Sequence, residues 1–212
     1  MTTKRPNGYG TYWSKPNYKE KNFVEWYQWM YQSRLKINED FIKWVNEQNV
    51  DSIADFGCGI GIGFETAFKD KEYLGVDISQ RNIDWCTQTY TNPKHTYLCM
   101  DFIEEDLPQK VDVSVCNGTL ENVWNINTAL ISMVKNSTKW IYASCFMGYH
   151  PHLQSHQYTW VPAKKVYSSL VSPNESRQVL ESLGCTEIEI YPSKKSNTLA
   201  AGEEAIIIAK VN

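Results

Sequence analysis

The chain has 212 residues, 42% hydrophobic and 21% charged, with 21 Lys and Arg against 24 Asp and Glu for a formal charge of −3. That length can bury one core, and no shift in composition marks a linker. A single domain is therefore expected over residues 1–212, with 1–49 as an N-terminal extension and 50–211 as an α/β core. The mild acidity gives no electrostatic footprint for a polyanion, no apolar stretch approaches the ~20 residues that span a bilayer, and polar residues follow Met1-Thr2-Thr3-Lys4-Arg5-Pro6 where a signal peptide needs an apolar run. A cytoplasmic protein that engages neither nucleic acid nor membrane is the expectation, with its oligomeric state open.

Residues 1–22 are rich in Tyr, Gly, Asn and Lys and lack periodicity. Phe23, Tyr27 and Met30, then Phe41, Trp44 and Val45, recur at helical spacing and predict two helices. A strand at Ser52-Ile53-Ala54 runs into the turn Asp55-Phe56-Gly57-Cys58-Gly59-Ile60-Gly61. From there strands and helices alternate. Strands are expected at Tyr73–Asp77, Thr96–Met100, Val111–Cys116 and Trp140–Ser144, and helices around Phe64, Ala67 and Phe68, around Ile83, Trp85 and Cys86, and around Ala129, Leu130, Met133 and Val134. Such alternation predicts a doubly wound, mostly parallel sheet with helices on both faces. Ser172-Pro173-Asn174-Glu175 is a helix start with a capping box, and the helix is expected to stop at Gly184. Thr186–Tyr191 alternates and Ala205–Ala209 is continuously apolar, which suggests a terminal hairpin with a buried last strand.

A glycine turn between a strand and a helix brings bare backbone N–H groups to the carboxyl edge of a sheet. Asp77 follows about 20 residues later, the separation at which an acid reaches a ribose diol in dinucleotide-type folds. The dinucleotide fingerprint itself fails in all three registers, because a small residue is required at 62, 64 or 66 and Ile62, Phe64 and Thr66 stand there. The Asp55-x-Gly57-x-Gly59-x-Gly61 form resembles the first motif of the class I S-adenosylmethionine-dependent methyltransferases. That cofactor carries no phosphate, and no Lys or Arg lies between Asp55 and Thr66.

The resemblance extends to the later strand ends. It implies that Asp101 lies beside the adenine amino group and the Phe102 N–H beside a ring nitrogen. Asn117 begins the segment after the fourth strand, where Leu120-Glu121-Asn122-Val123 is similar to the family's Leu-Glu-His-Val, with Asn122 in place of His. It also implies a Rossmann-like methyltransferase fold of seven strands, the last inserted antiparallel. The expected cofactor contacts are thus Asp55, Gly57, Gly59, Gly61, Asp77, Asp101, Phe102 and Asn117, and the expected activity is methyl transfer from S-adenosylmethionine. A protein that binds S-adenosylmethionine without turnover and a nicotinamide-dependent oxidoreductase are the alternatives.

Two segments qualify to cover the site. Tyr9-Gly10-Thr11-Tyr12-Trp13 offers aromatic faces, which stabilise a sulfonium cation by ~0.5–2 kcal/mol. Cys145–Val171 is a long aperiodic stretch carrying His150, His152 and His156, which with Glu121 form the candidate bases for an acceptor that arrives protonated. No metal is expected, since only His152 and His156 have i, i+4 spacing and Pro151 opposes a helix there. The six cysteines contain no Cys-x-x-Cys pair and read as reduced, buried thiols, Cys58 behind the cofactor turn. The Asn/Asp-Pro-Pro-aromatic motif of base-amino methyltransferases is absent after Asn117, and the Lys-aromatic stretch Trp13–Lys21 is short. A small-molecule acceptor, a sugar or other metabolite, is expected.

Overall fold

The computed structural model describes residues 4–13, 17–18, 21–193 and 203–212. Most of the Trp13–Lys21 stretch, including its Lys15 and Lys19, lies outside the described residues. A two-residue antiparallel pair, β1 (Asn17–Tyr18) and β2 (Lys21–Asn22), leads into helix α1 (Phe23–Ser33). Asn22 caps α1 reciprocally: its Oδ1 accepts the Glu25 N–H at 3.0 Å and the Glu25 carboxylate accepts the Asn22 N–H at 3.3 Å. Arg34 breaks the helical path with φ −116° and ψ 20°, and α2 (Leu35–Glu47) follows, burying Ile37, Phe41 and Val45 at i, i+4 and i+8.

The α/β part then runs β3 (Ser52–Phe56), α3 (Phe64–Ala67), β4 (Glu72–Asp77), α4 (Gln80–Thr89), β5 (His95–Cys99), β6 (Val111–Asn117), a 3-10 turn at Leu120–Asn122, α5 (Ile126–Lys135) and β7 (Ser137–Cys145). A small antiparallel pair, β8 (Trp160–Val161) with β9 (Val166–Tyr167), precedes α6 (Pro173–Ser182), β10 (Thr186–Pro192) and β11 (Ala205–Lys210). Seven strands form one sheet in the order β10-β11-β7-β6-β3-β4-β5. All neighbours are parallel except β11, which runs antiparallel to both β7 and β10. This is the expected doubly wound sheet with an antiparallel inserted strand and N-terminal helices.

β11 shows why an unbroken apolar run belongs inside. Ile207 packs into the core under α5 and α6, while Ile206 and Ile208 pack into the opposite core with Phe41, Phe64, Phe68 and Tyr142. Both faces are covered over Ala205–Ala209, and only at Lys210 does the strand reach a partly exposed position where a charged residue stands. Chain order reverses between β3 and β6, and the carboxyl ends of those two strands open the crevice that such sheets use for ligands.

Three details differ from the sequence reading. The long Cys145–Val171 segment is not a free loop, since β8–β9 and a bridge between Gln157 and Leu170 tie it down. The α6 start is half a capping box: Ser172 Oγ accepts the Glu175 N–H at 3.1 Å, but the Glu175 carboxylate turns to the His156 N–H and to Asn127 Nδ2 instead of returning to Ser172. Cys99, on the edge strand β5, is exposed, whereas Cys86, Cys116, Cys145 and Cys185 are buried.

Candidate active site

β3 ends at Phe56, and the chain turns through Gly57 and Gly59 at φ +81° and +58°. Neighbours enforce glycine as strictly as the backbone does. A Cβ on Gly57 would lie 2.2 Å from Thr119 Oγ1, and one on Gly59 2.5 Å from the Tyr27 ring. The turn is pinned to the next strand by the Gly57 and Cys58 N–H groups, which donate to Val76 O at 2.7 and 3.0 Å.

Asp77, at the end of β4, accepts three hydrogen bonds: from the Gly59 N–H at 2.9 Å, the Ser79 N–H at 2.8 Å and Asn82 Nδ2 at 3.2 Å. Burial raises its pKa to about 6 against the pull of those donors. Asp55, also buried, accepts the Tyr73 hydroxyl at 2.7 Å, and burial raises it to about 7. Asp101 follows β5. Its Oδ1 accepts the Ile103 N–H at 3.2 Å, while Oδ2 is buried, has Arg5 Nε 3.4 Å away and accepts no hydrogen bond of normal geometry among the described residues. Burial raises the Asp101 pKa as well.

These carboxylates and the glycine turn line one cleft enclosing about 140 Å³. Asp55, Gly57, Gly59, Asp77, Asp101, Phe102 and Asn117 all border it, so the fold brings together every expected cofactor residue except Gly61, which sits beyond the rim beside Tyr90. The other side of the cleft comes from the N-terminal extension. Trp26, Tyr27, Met30 and Tyr31 project from α1, and Tyr9 and Trp13 from the segment before it. Tyr9 donates to Asn122 O at 3.2 Å, Trp13 O accepts from Arg81 Nη2 at 2.6 Å, and the Gly10 N–H donates to Lys165 O at 3.2 Å, which straps this segment across the opening. Among the described residues, the cleft wall contains no Lys, Arg or His. Sequence reasoning flagged Tyr9–Trp13 but treated α1 only as a lead-in helix, and its aromatic i, i+4 pair Tyr27 and Tyr31 was the available signal.

The candidate bases do not meet at this cleft. His156 is buried among structural partners: its Nδ1 accepts the Ser172 N–H at 2.9 Å and its Nε2 donates to Asn127 Oδ1 at 3.0 Å, with burial lowering its pKa to about 4. That imidazole is a neutral helix-start brace. His150 Nε2 lies 3.0 Å from Met147 O, and His152 is exposed. Glu121 is fully buried behind the wall; its Oε1 accepts the Phe146 N–H, its Oε2 has no hydrogen-bond partner among the described residues, and burial raises its pKa to about 7. Among the described residues no cluster of three or more His, Cys, Asp or Glu is placed to hold a metal.

The donor set suits S-adenosylmethionine on its own chemistry. A glycine turn that allows close backbone approach, in a cleft whose described lining carries no cation, suits a phosphate-free ligand, and Asp101 Oδ2 retains acceptor capacity for a donor such as an exocyclic amine. A family model described as "Methyltransferase domain" matches residues 54–136, from the glycine-turn strand through α5. No curated protein sequence gives a match. Among solved structures, magnesium protoporphyrin IX methyltransferase from Synechocystis PCC 6803 with bound SAM is similar at 16% identity and a TM-score of 0.61, over 95% of this chain and 90% of that one. The N-methyltransferase NodS from Bradyrhizobium japonicum WM9 is similar at 12% identity and 0.59, over 85% and 97%. A glycopeptide N-methyltransferase is similar at 14% identity and 0.63, over 82% and 88%. Sheet order and strand-end geometry are those of the Rossmann-like methyltransferase fold, and the methyltransferase-domain model matches the part of it from the glycine-turn strand through α5.

Proposed function

We propose that the protein transfers the methyl group of S-adenosylmethionine to a small-molecule acceptor, a sugar or other metabolite. The observation that carries this reading is the cleft itself: roofed by the rings of Tyr9, Trp13, Trp26, Tyr27 and Tyr31, and walled by carboxylates with no cation among the described lining residues. A polyanion needs Lys and Arg along its path, and among the described residues none lines the cleft, while Arg5 and Arg81 nearby are engaged by Asp101 and Glu104 and by Trp13 O. The bound cofactor supplies an electrophilic methyl on a cationic sulfur.

The chain's own contribution is alignment and electrostatics. Asp77 would hold the ribose side, Asp101 and the Phe102 N–H the adenine side, and the Gly57–Gly59 backbone with Asp55 and Asn117 the amino-acid end. Positioning of this kind supplies ~7–11 kcal/mol in well-oriented displacements. Rings of Tyr9, Trp13, Trp26 and Tyr27 exclude water and present π faces to a cation. No histidine borders the cleft, so an acceptor with an available lone pair, or one whose proton leaves to solvent, fits better than one that needs an imidazole base. Transfer of label from methyl-labelled S-adenosylmethionine into fractionated metabolite, protein and RNA pools tests the proposal. Label confined to a macromolecular pool would overturn it.

A further inference from the structure

A buried ionic cluster behind the cleft joins three parts of the chain that are far apart in sequence. Arg34, at the junction of α1 and α2, is 6% exposed and forks onto Glu204, which is 2% exposed, with Nε to Oε1 at 2.9 Å and Nη2 to Oε2 at 2.6 Å. Nη2 also donates to Ser144 Oγ at 2.8 Å, and that hydroxyl donates to Asn117 Oδ1 at 2.5 Å. Nη1 donates to Asn117 O at 3.4 Å and lies flat on Gly118, where a Cβ would come within 2.5 Å of it. Asn117 Nδ2 in turn donates to Asn38 Oδ1 at 3.0 Å, and Asn38 Nδ2 to Tyr31 O, on the roof helix, at 3.1 Å.

We propose that Arg34 is a positioning residue that, through Ser144 and Asn117, sets both the Asn117–Gly118 wall of the cleft and the seat of the α1 roof, and thereby fixes cofactor affinity. The inference rests on the reading of the cleft as the S-adenosylmethionine site. Hydrophobic burial alone does not require this cluster, because an apolar trio of similar volume would fill the space at no cost in stability. A guanidinium does what such a trio cannot: its planar fork holds Glu204 bidentately and still directs separate N–H groups at Ser144 and at Asn117 O. Among the described residues Glu121 is the remaining charged group facing Arg34, and Glu204 outweighs the cost of burying the guanidinium, keeping it ionised.

The test compares wild type with Ser144→Ala, Arg34→Lys and the remote core variant Leu180→Ala. Each is scored by calorimetric Kd for S-adenosylmethionine and its demethylated product, by cofactor KM, and by Tm. Expected are a tenfold or greater rise in Kd and KM for Ser144→Ala and Arg34→Lys, while Leu180→Ala lowers Tm and leaves Kd within twofold. Ser144→Ala removes one hydroxyl and carries the test if Arg34→Lys does not fold. Wild-type affinity in Ser144→Ala would overturn the positioning role alone. Absence of binding by wild type would overturn the cofactor reading and the proposal with it.

Discussion

The Gly59 N–H donates to Asp77 Oδ2 at 2.9 Å, which makes the glycine turn and the carboxylate that ends β4 one mechanical unit. Two features 18 residues apart in sequence are thus mutually oriented before any ligand arrives. Asp77 also caps the approach to α4 through the Ser79 N–H and Asn82, so its removal releases three donors at once.

Asp77→Ala should therefore weaken binding of S-adenosylmethionine by at least about tenfold, roughly 1.4 kcal/mol. Asp84→Ala, whose carboxylate accepts from the exposed Gln80 side chain, should stay within about twofold. Calorimetric titration of both variants decides the matter, and equal affinities would remove Asp77 from the site.

Glycine substitutions separate backbone strain from site geometry. Gly184→Ala, at φ +78° with nothing within 4 Å of the new Cβ, should cost about 1–2 kcal/mol of stability and leave cofactor affinity alone. Gly59→Ala adds a methyl 2.5 Å from the Tyr27 ring, so it should displace the roof and abolish measurable binding. Thermal melts with and without cofactor distinguish the two patterns.

His156→Ala should behave as a stability variant. It strips the Ser172 N–H of its acceptor at the start of α6, a loss of about 1–3 kcal/mol, with kcat nearly unchanged. His150→Ala and His152→Ala should change neither Tm nor turnover by much. A large fall in kcat at constant Tm for any of the three would restore a catalytic histidine.

The buried carboxylates also set a pH dependence. With Glu121 raised from 4.5 to about 7 by burial, the folded chain keeps a proton that the unfolded chain has released, so this contribution is full below 4.5 and is lost as pH rises through 7. Asp55 and Asp77 act in the same direction up to about 7 and about 6, while His156, lowered to about 4, opposes them by adding stability as pH rises toward 6.5. Glu121→Gln keeps an acceptor for the Phe146 N–H but cannot ionise. Its stability advantage over wild type should grow by on the order of 2 kcal/mol from about pH 5 to about pH 8. Denaturant melts at several pH values measure this, and a constant difference would contradict it.

Much of this architecture is written in local pattern. Alternating strands and helices, the Gly57–Gly61 turn, Asp77 and Asp101 at strand ends and the apolar run at Ile206–Ile208 each follow from short-range spacing, and the sheet order matches them. What local pattern does not carry is side-chain direction in segments without a period. The three histidines share a stretch of sequence, yet one braces a helix, one meets a backbone carbonyl and one faces solvent. Nor does spacing reveal that Tyr27 and Tyr31 lie on Gly59 and Gly63, because that contact joins a terminal helix to a turn about thirty residues away through tertiary packing alone.

The most direct measurement of the central claim is incubation of the purified protein with methyl-labelled S-adenosylmethionine and fractionated cell extract, following label and demethylated cofactor together. The account predicts stoichiometric appearance of demethylated cofactor and of label in the low-mass metabolite fraction, with none in RNA or protein. Label in a macromolecular fraction, or cofactor bound without any demethylated product in every fraction, would contradict it.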